Sequence, residues 1–206
     1  MSRRILLLLK TLTWIACLAP AAWLAWGMIT NNLGPDPTAE LAFFTGLATL
    51  RLLAITLAIS PLRKLIPRLN WLIRFRRLLG LFAFFYATLH MLTWVALYSG
   101  FNVEAMFIDV TRRRFIMAGA AAYLLLLPLA LTSTNWAIRK LGGKNWNRLH
   151  KLIYLAAVCG IIHYWWQVKT GVLKPLDMTI VFAVLLLARP VIALAQKRKR
   201  PVISAG

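Results

Sequence analysis

The sequence predicts an all-α membrane protein: a bundle of six transmembrane helices with both termini in the cytoplasm. Hydrophobic residues make up 61% of the 206 residues and charged residues 15%, whereas soluble domains contain about 45–50% and about 25%. The mean hydropathy is +0.71. At about 20 residues per span, this length accommodates six helices and short loops as one membrane domain and leaves no room for a soluble catalytic domain.

Six apolar stretches are the predicted spans. They lie at about 11–30, 41–60, 78–98, 115–134, 150–168 and 176–195. The fifth is short for a span unless it starts near His150, because a helix needs about 20 residues to cross the hydrocarbon core. Lys10 interrupts the apolar run that a cleaved signal peptide would need, so the first stretch is interpreted as a retained helix.

The charges predict the orientation. Nineteen of the 25 Lys and Arg residues fall at the N-terminus, in the second-to-third and fourth-to-fifth connections and at the C-terminal tail. The acidic residues all fall on the opposite side: Asp36, Glu40, Glu104, Asp109 and Asp177. The positive-inside rule then places both termini in the cytoplasm of a multi-pass protein of the bacterial inner membrane. A net charge of +20 carried in short blocks between spans is such a topology signal, and not a nucleic-acid footprint.

Three histidines lie in or at the edge of the spans, where ionisable residues are costly and indicate function. His90 lies about 18 Å past the start of its helix, and His163 about 19–20 Å past His150. His90 and His163 are therefore expected at similar depth towards the periplasm, with His150 at the cytoplasmic edge. Such a pair suits the two axial positions of a haem iron. The alternative is a set of polar contacts between helices.

The partner of His150 is harder to assign. Arg76 precedes His90 by fourteen residues and shares its helix face, so it is a candidate iron ligand. Arg76 and Arg77 are also candidates for binding the cofactor through a haem propionate, or they are membrane anchors. A guanidinium group is normally protonated and therefore a poor ligand. His150 and His163 lie on different faces of an ideal helix, so their pairing with residues of the third span requires a distortion near Gly160 or an irregular helix start.

The positions of the cysteines and acidic residues argue against covalently attached haem and against a zinc site. Cys17 and Cys159 both lie in apolar runs and are expected to be small packing residues, and the sequence has no CxxCH motif for covalent haem attachment. A zinc site is disfavoured, because no carboxylate accompanies the histidines within the spans and Cys159, the one cysteine in their spans, is expected to be a packing residue.

Two long segments carry a family resemblance: RFRRLLGLFAFFYATLH at 74–90 and LGGKNWNRLHKLIYLAAVCGIIHYWW at 141–166. LGPDPTAELAFFTG at 33–46, ISPLR at 59–63 and LTSTNW at 131–136 add to it. The chain resembles the MsrQ family, the haem-binding membrane subunits of periplasmic methionine sulfoxide reductase systems. This family belongs to the wider ferric-reductase-like transmembrane class, and the resemblance covers most of the chain.

The resemblance implies an electron-transfer subunit with no catalytic site of its own. It implies two stacked b-type haems, one held by His90 and His163 and a second near His150, where Arg76 replaces the usual histidine. FMN is implied as a further cofactor, with the quinone pool or a cytosolic flavin reductase as electron donor. The implied acceptor is MsrP, a periplasmic molybdopterin reductase that repairs methionine sulfoxide in proteins.

Two other functions remain open from the sequence. The chain could serve as the haem-bearing subunit of another oxidoreductase, such as a metal reductase. In the second alternative it is a transporter or assembly factor whose histidines only join helices. Transport folds often show inverted repeats or paired broken helices, and the sequence shows neither.

Overall fold

The computed structural model describes residues 2–168 and 174–198, and every regular element in these ranges is helical. The helices are α1 (Arg3–Ile29), α2 (Pro37–Leu65), α3 (Ile73–Leu92), α4 (Val103–Arg112), α5 (Arg114–Leu131), α6 (Asn135–Leu141), α7 (Gly143–Leu149), α8 (Leu152–Gln167) and α9 (Leu176–Arg198). A 3₁₀ turn, Pro67–Leu72, precedes α3, and a π-helical turn, Thr93–Tyr98, follows it.

Each of the six predicted spans coincides with a helix, but the boundaries differ. In the described residues, four segments are long and apolar enough to cross a membrane: Arg3–Ile29, Pro37–Leu65, Pro67–Tyr98 and Arg114–Leu131. Helix α8 has only 16 residues, and α9 has 23 but is not among the four. The count of six spans and the cytoplasmic location of the termini therefore stay predictions.

The helix starts are set by capping residues that hydropathy does not reveal. Helix α1 starts at Arg3, well before the predicted residue 11, because the Ser2 side chain accepts a hydrogen bond from the Ile5 amide. Helix α2 starts at Pro37, because the Asp36 side chain accepts from the Ala39 amide at 2.9 Å and a proline fits the first helical position.

The six long helices alternate in direction along the chain, as contacts between neighbouring helices show. The start of α1, the α2–α3 connection, α6, α7 and the end of α9 lie at one end of the bundle, here called the basic end. The opposite end, called the acidic end, contains the α1–α2 loop, α4 and all five acidic residues of the chain. Lys169, Lys199 and Arg200, which the charge count also used, lie outside the described residues.

Small residues allow the helices to approach closely. The most extensive contacts join α2 to α3 and α5 to α8, and α9 packs on α2. Ala83 of α3 and Ala157 of α8 are completely buried in this core. Alanine and glycine at such contacts bring backbones together, which supplies the dispersion contacts that drive helix association in lipid.

The π-helical turn directly follows the helix that carries His90. In it the Ser99 amide donates to the Trp94 carbonyl at 2.9 Å, five residues back instead of the usual four. The chain then leaves the turn through Gly100 and Phe101, both with positive φ (55° and 60°). Such wide turns occur mostly as single interruptions of α-helices, often at functional sites.

Tyr86 attaches α1 to the rest of the bundle. Its buried hydroxyl donates to the Cys17 carbonyl at 2.6 Å and accepts from the Ala21 amide at 3.1 Å. These two groups would bond each other in a regular helix, so the hydroxyl is inserted into the α1 backbone ladder, beside Pro20. Most of the surface of α1 is otherwise exposed and apolar, as expected for a helix facing lipid.

We expect Tyr86→Phe to loosen α1, because the two backbone groups lose the hydroxyl that joins them. The expected cost is about 1 kcal/mol, as for other hydrogen bonds between helices in membranes. Thermal unfolding of the detergent-solubilised protein measures this, with Tyr98→Phe as the control because Tyr98 is exposed. Equal unfolding temperatures for the two variants would contradict the role of Tyr86.

Candidate functional site

His90 lies on α3 and is held by the backbone of α2. Its Nδ1 atom is 2.8 Å from the Ala42 carbonyl oxygen, and the Thr45 hydroxyl oxygen is 3.4 Å away. A carbonyl oxygen can only accept a hydrogen bond, so Nδ1 carries the proton. The Nε2 atom of the neutral ring then keeps its lone pair for another partner.

His163 lies on α8 and is held by α5 in the same way. Its Nδ1 atom is 2.6 Å from the Phe115 carbonyl oxygen. The same reasoning assigns the proton to Nδ1 and the free lone pair to Nε2. Each of the two most extensive helix contacts therefore contains one histidine bonded to the backbone of the facing helix.

Glycine makes both of these contacts possible. Gly46 lies one helical turn after Ala42, and Gly119 one turn after Phe115. A Cβ atom at Gly46 would lie 3.1 Å from Cε1 of His90, and one at Gly119 would lie 2.7 Å from Nδ1 of His163. The second distance is shorter than any normal contact, so the ring of His163 needs a glycine there. Neither glycine was predicted from the sequence, although glycines in apolar spans at the depth of a histidine were the available signal.

The structure brings His90 and His163 together. Their ring centroids are 5.8 Å apart, and their planes are inclined at 82°. Two imidazoles on opposite sides of one metal ion would have centroids about 6 Å apart, since each metal–nitrogen bond is about 2 Å. Within residues 2–168 and 174–198, no group of three or more His, Cys, Asp or Glu residues could hold a metal ion. The side chains here therefore offer a pair of nitrogen ligands only.

His150 lies in the turn between α7 and α8, at the basic end. Its ring stacks on Trp146, with centroids 3.8 Å apart, and its Nδ1 atom is 3.1 Å from the Trp146 carbonyl oxygen. The Nε2 atom is buried without a hydrogen-bond partner, although the Leu129 backbone lies close to the ring. Because α8 begins only at Leu152, the spacing between His150 and His163 need not follow an ideal helix. This turn is the irregular helix start that the spacing of His150 and His163 required, because the two residues lie on different faces of an ideal helix.

The two candidate arginines have different environments. Arg76 is half-buried and within Coulombic range of His150. Arg77 is exposed and donates to the Asn135 side chain at 2.6 Å, at the start of α6. The structure thus groups Arg76 with His150, whereas Arg77 joins α3 to α6 at the basic end.

Comparison with known proteins decides the family. Residues 45–161 match the family described as ferric reductase like transmembrane component. A relative from Herminiimonas arsenicoxydans is 46% identical over 98% of this chain and 92% of its own length. Relatives from Azospira oryzae (45% identical, 86% of this chain, 76% of theirs) and Xanthomonas axonopodis pv. citri (46%, 86%, 83%) are similar. All three are named protein-methionine-sulfoxide reductase heme-binding subunit MsrQ.

The chain belongs to the MsrQ family. The resemblance carried by the two long segments is confirmed, and so is the ferric-reductase-like, all-helical membrane fold. The family match contains Arg76, His90 and His150 and both site glycines, and it ends just before His163. No solved structure matches this MsrQ chain.

We expect Gly119→Ala to displace the His163 ring, because the new methyl group would overlap Nδ1 and break the bond to Phe115. Gly46→Ala should have a weaker effect, since its Cβ meets the His90 ring at 3.1 Å. Gly80→Ala and Gly160→Ala are matched controls, because their nearest contacts are ordinary, at 3.7 and 3.4 Å from Thr56 and Leu50. The measurement is haem absorbance per purified chain, since the relatives are named as heme-binding subunits. A Gly119 variant that matches the controls would refute the close contact.

Proposed function

We propose that this chain binds b-type haem between His90 and His163 and passes electrons across the inner membrane to a periplasmic MsrP-like molybdopterin reductase. That reductase in turn repairs methionine sulfoxide in periplasmic proteins. The observation that carries the proposal is the facing pair of imidazoles, each with its Nε2 lone pair left free by a bond at Nδ1. The family supports it, since the relatives are named as heme-binding subunits.

The number of ligands favours haem over a bare metal ion. Two nitrogen ligands rarely suffice for a structural or catalytic ion, which takes three or four from the protein. A haem iron takes only its axial ligands from the protein, because the macrocycle supplies the others. Helix bundles hold such cofactors between side chains of facing helices, which is the arrangement of α3 and α8 here.

The residues around the pair prepare both rings as ligands. The bonds from Nδ1 to Ala42 and Phe115 fix the tautomer and the ring orientation, and they raise the basicity of Nε2. Gly46 and Gly119 let the rings lie against the facing backbones. When bound, haem supplies one-electron redox chemistry. If His90 and His163 both bound the iron, no position would remain for oxygen or substrate, so haem held by these two residues would supply electron transfer.

A second haem is proposed beside His150. The buried Nε2 atom of His150 lacks a partner, and Arg76 lies within Coulombic range on the facing helix α3. Two cofactors at different depths shorten each electron-transfer step across a core about 30 Å thick. In this proposal the basic end faces the cytoplasm, the quinone pool of the membrane or a cytosolic flavin reductase supplies the electrons, and FMN is a further cofactor.

We expect His90→Ala and His163→Ala to abolish the same haem. Each variant should lose one b-type component from the reduced-minus-oxidised spectrum, and the double variant should lose no more than either single one. This non-additivity follows because the two rings are ligands of one iron. Haem per chain, quantified on purified protein, is the measurement, and additive losses would contradict the pairing.

His150→Ala is the matched control, because it replaces the same residue type at the basic end. It should remove a different component and leave the spectrum of the His90–His163 site unchanged. A chain that binds no haem despite ample supply would overturn the proposed function and leave the histidines as helix contacts.

The acceptor has its own test. After chemical reduction under anaerobic conditions, the purified chain should be reoxidised fully and rapidly only when a substoichiometric amount of an MsrP-like reductase and an excess of methionine sulfoxide are both present. His163→Ala should slow this reoxidation strongly, because that site lies towards the acidic end, where the acceptor is expected. Stopped-flow absorbance follows the reaction. Equal rates with and without the reductase would direct the proposal to another acceptor.

A further inference from the structure

Arg189 is an arginine in the middle of an apolar helix. It lies in α9 within the segment VFAVLLLARPVIALA, about 20 Å from the start of the helix at Leu176. An arginine at this depth is costly in a membrane unless it faces the protein interior and finds partners there. The role of Arg189 is therefore not explained by topology alone.

Two groups of the chain hold the Arg189 side chain. Its Nη2 atom donates to the Leu57 carbonyl at 3.0 Å, and its Nη1 atom donates to the Tyr154 hydroxyl. The guanidinium also lies over the Tyr154 ring, 4.9 Å from the centroid. The Leu57 carbonyl is available because Pro61, four residues later, has no amide hydrogen to donate to it. The chain thus fixes the position of the guanidinium through neutral groups.

The positive charge of Arg189 is not neutralised by these contacts. Among the described residues the one ion pair joins Arg113 to Asp109, at the acidic end. Arg76 lies within Coulombic range of Arg189 and Tyr154, so a second positive charge adds to the first. Like charges repel strongly where the dielectric constant is low, so two such groups call for an anion between or beside them.

Two donor or ligand atoms in this region lack partners. The Arg189 Nε atom is buried without a hydrogen-bond partner, and so is the His150 Nε2 atom. Tyr154, which accepts a hydrogen bond from Arg189, lies four residues after His150, so the two atoms belong to the same region of the bundle. A buried, unpartnered guanidinium N–H is well suited to a carboxylate or phosphate oxygen, because such charge-assisted hydrogen bonds are the strong ones.

We propose that Arg189, with Arg76 and Tyr154, forms a binding site for the anionic group of a small cofactor beside His150. The group is a carboxylate or a phosphate, carried by a haem or by FMN. The inference deepens the proposed function and rests on it for the identity of the cofactor. The anion completes the hydrogen bonding of Arg189 and neutralises the paired arginines.

The test compares probes that differ only in their anionic group. Haem and haem dimethyl ester, and FMN and riboflavin, are titrated into the full-length chain purified in detergent from haem-limited cells. For the wild-type chain, we expect the neutral member of one probe pair to bind about tenfold or more weakly than its acid-bearing counterpart. This difference in affinity corresponds to one strong charge-assisted hydrogen bond. For Arg189→Gln we expect the acid-bearing probe to bind as weakly as its neutral analogue.

Arg51→Gln is the matched control, because Arg51 also lies within a long apolar helix but its side chain is exposed. It should bind all four probes as the wild-type chain does. In the haem titrations, the b-type spectrum of the His90–His163 site should form in every variant, and it reports that the chain is folded. If Arg189→Gln loses that haem, the titrations are repeated with Tyr154→Phe and Pro61→Ala. The first variant removes the hydroxyl that accepts from Nη1, and the second supplies an amide that competes for the Leu57 carbonyl.

The outcomes separate this inference from the proposed function. If Arg189→Gln lowers the affinity for haem but not for its dimethyl ester, the anionic group is a carboxylate. If it lowers the affinity for FMN but not for riboflavin, the group is a phosphate. Arg189 variants that discriminate each probe pair as the wild-type chain does would overturn the anion site. Failure of haem to bind at His90 and His163 would overturn the proposed function, while the FMN comparison would still test Arg189.

Discussion

The hydrogen bond from an imidazole Nδ1 to the backbone carbonyl of a facing helix is the contact on which this structure depends. It occurs twice, from His90 to Ala42 and from His163 to Phe115. In each case a glycine one turn further along the facing helix makes room for the ring. One geometric device therefore joins α2 to α3, joins α5 to α8, and presents two matched nitrogen atoms to the space between them.

Prolines extend the same use of backbone groups to the rest of the bundle. In lipid, an unpaired carbonyl or amide costs several kcal/mol, so each group that a proline frees needs a new partner. At Pro61 the freed Leu57 carbonyl receives Arg189. Beside Pro20, which frees the neighbouring Ala16 carbonyl, the Tyr86 hydroxyl bonds the Cys17 carbonyl and the Ala21 amide of the α1 ladder. Both contacts connect separate helices. The prolines thus contribute to tertiary structure where they would otherwise only weaken a helix.

The sequence predicted what depends on composition and on position along one helix. The six apolar helices follow from hydropathy, and the proximity of His90 and His163 follows from counting their rise. Contacts across helices were beyond this reasoning. Gly119 is one of several small apolar residues in its span, and Arg189 is counted only as a topology charge until α2 and α9 are placed side by side. The turn around His150 was one of two distortions that the spacing allowed, and spacing alone could not choose between them.

The π-helical turn after His90 has a consequence for how related chains can vary in length. Such a turn holds one residue more than an α-helical turn of the same rise, so it behaves as a single-residue insertion accommodated inside a helix. Deleting one residue within Thr93–Tyr98 would convert it to regular α-helix without rotating the residues that precede it. A related chain can therefore be one residue shorter between His90 and Asn102, and its histidine will still lie in register with His163.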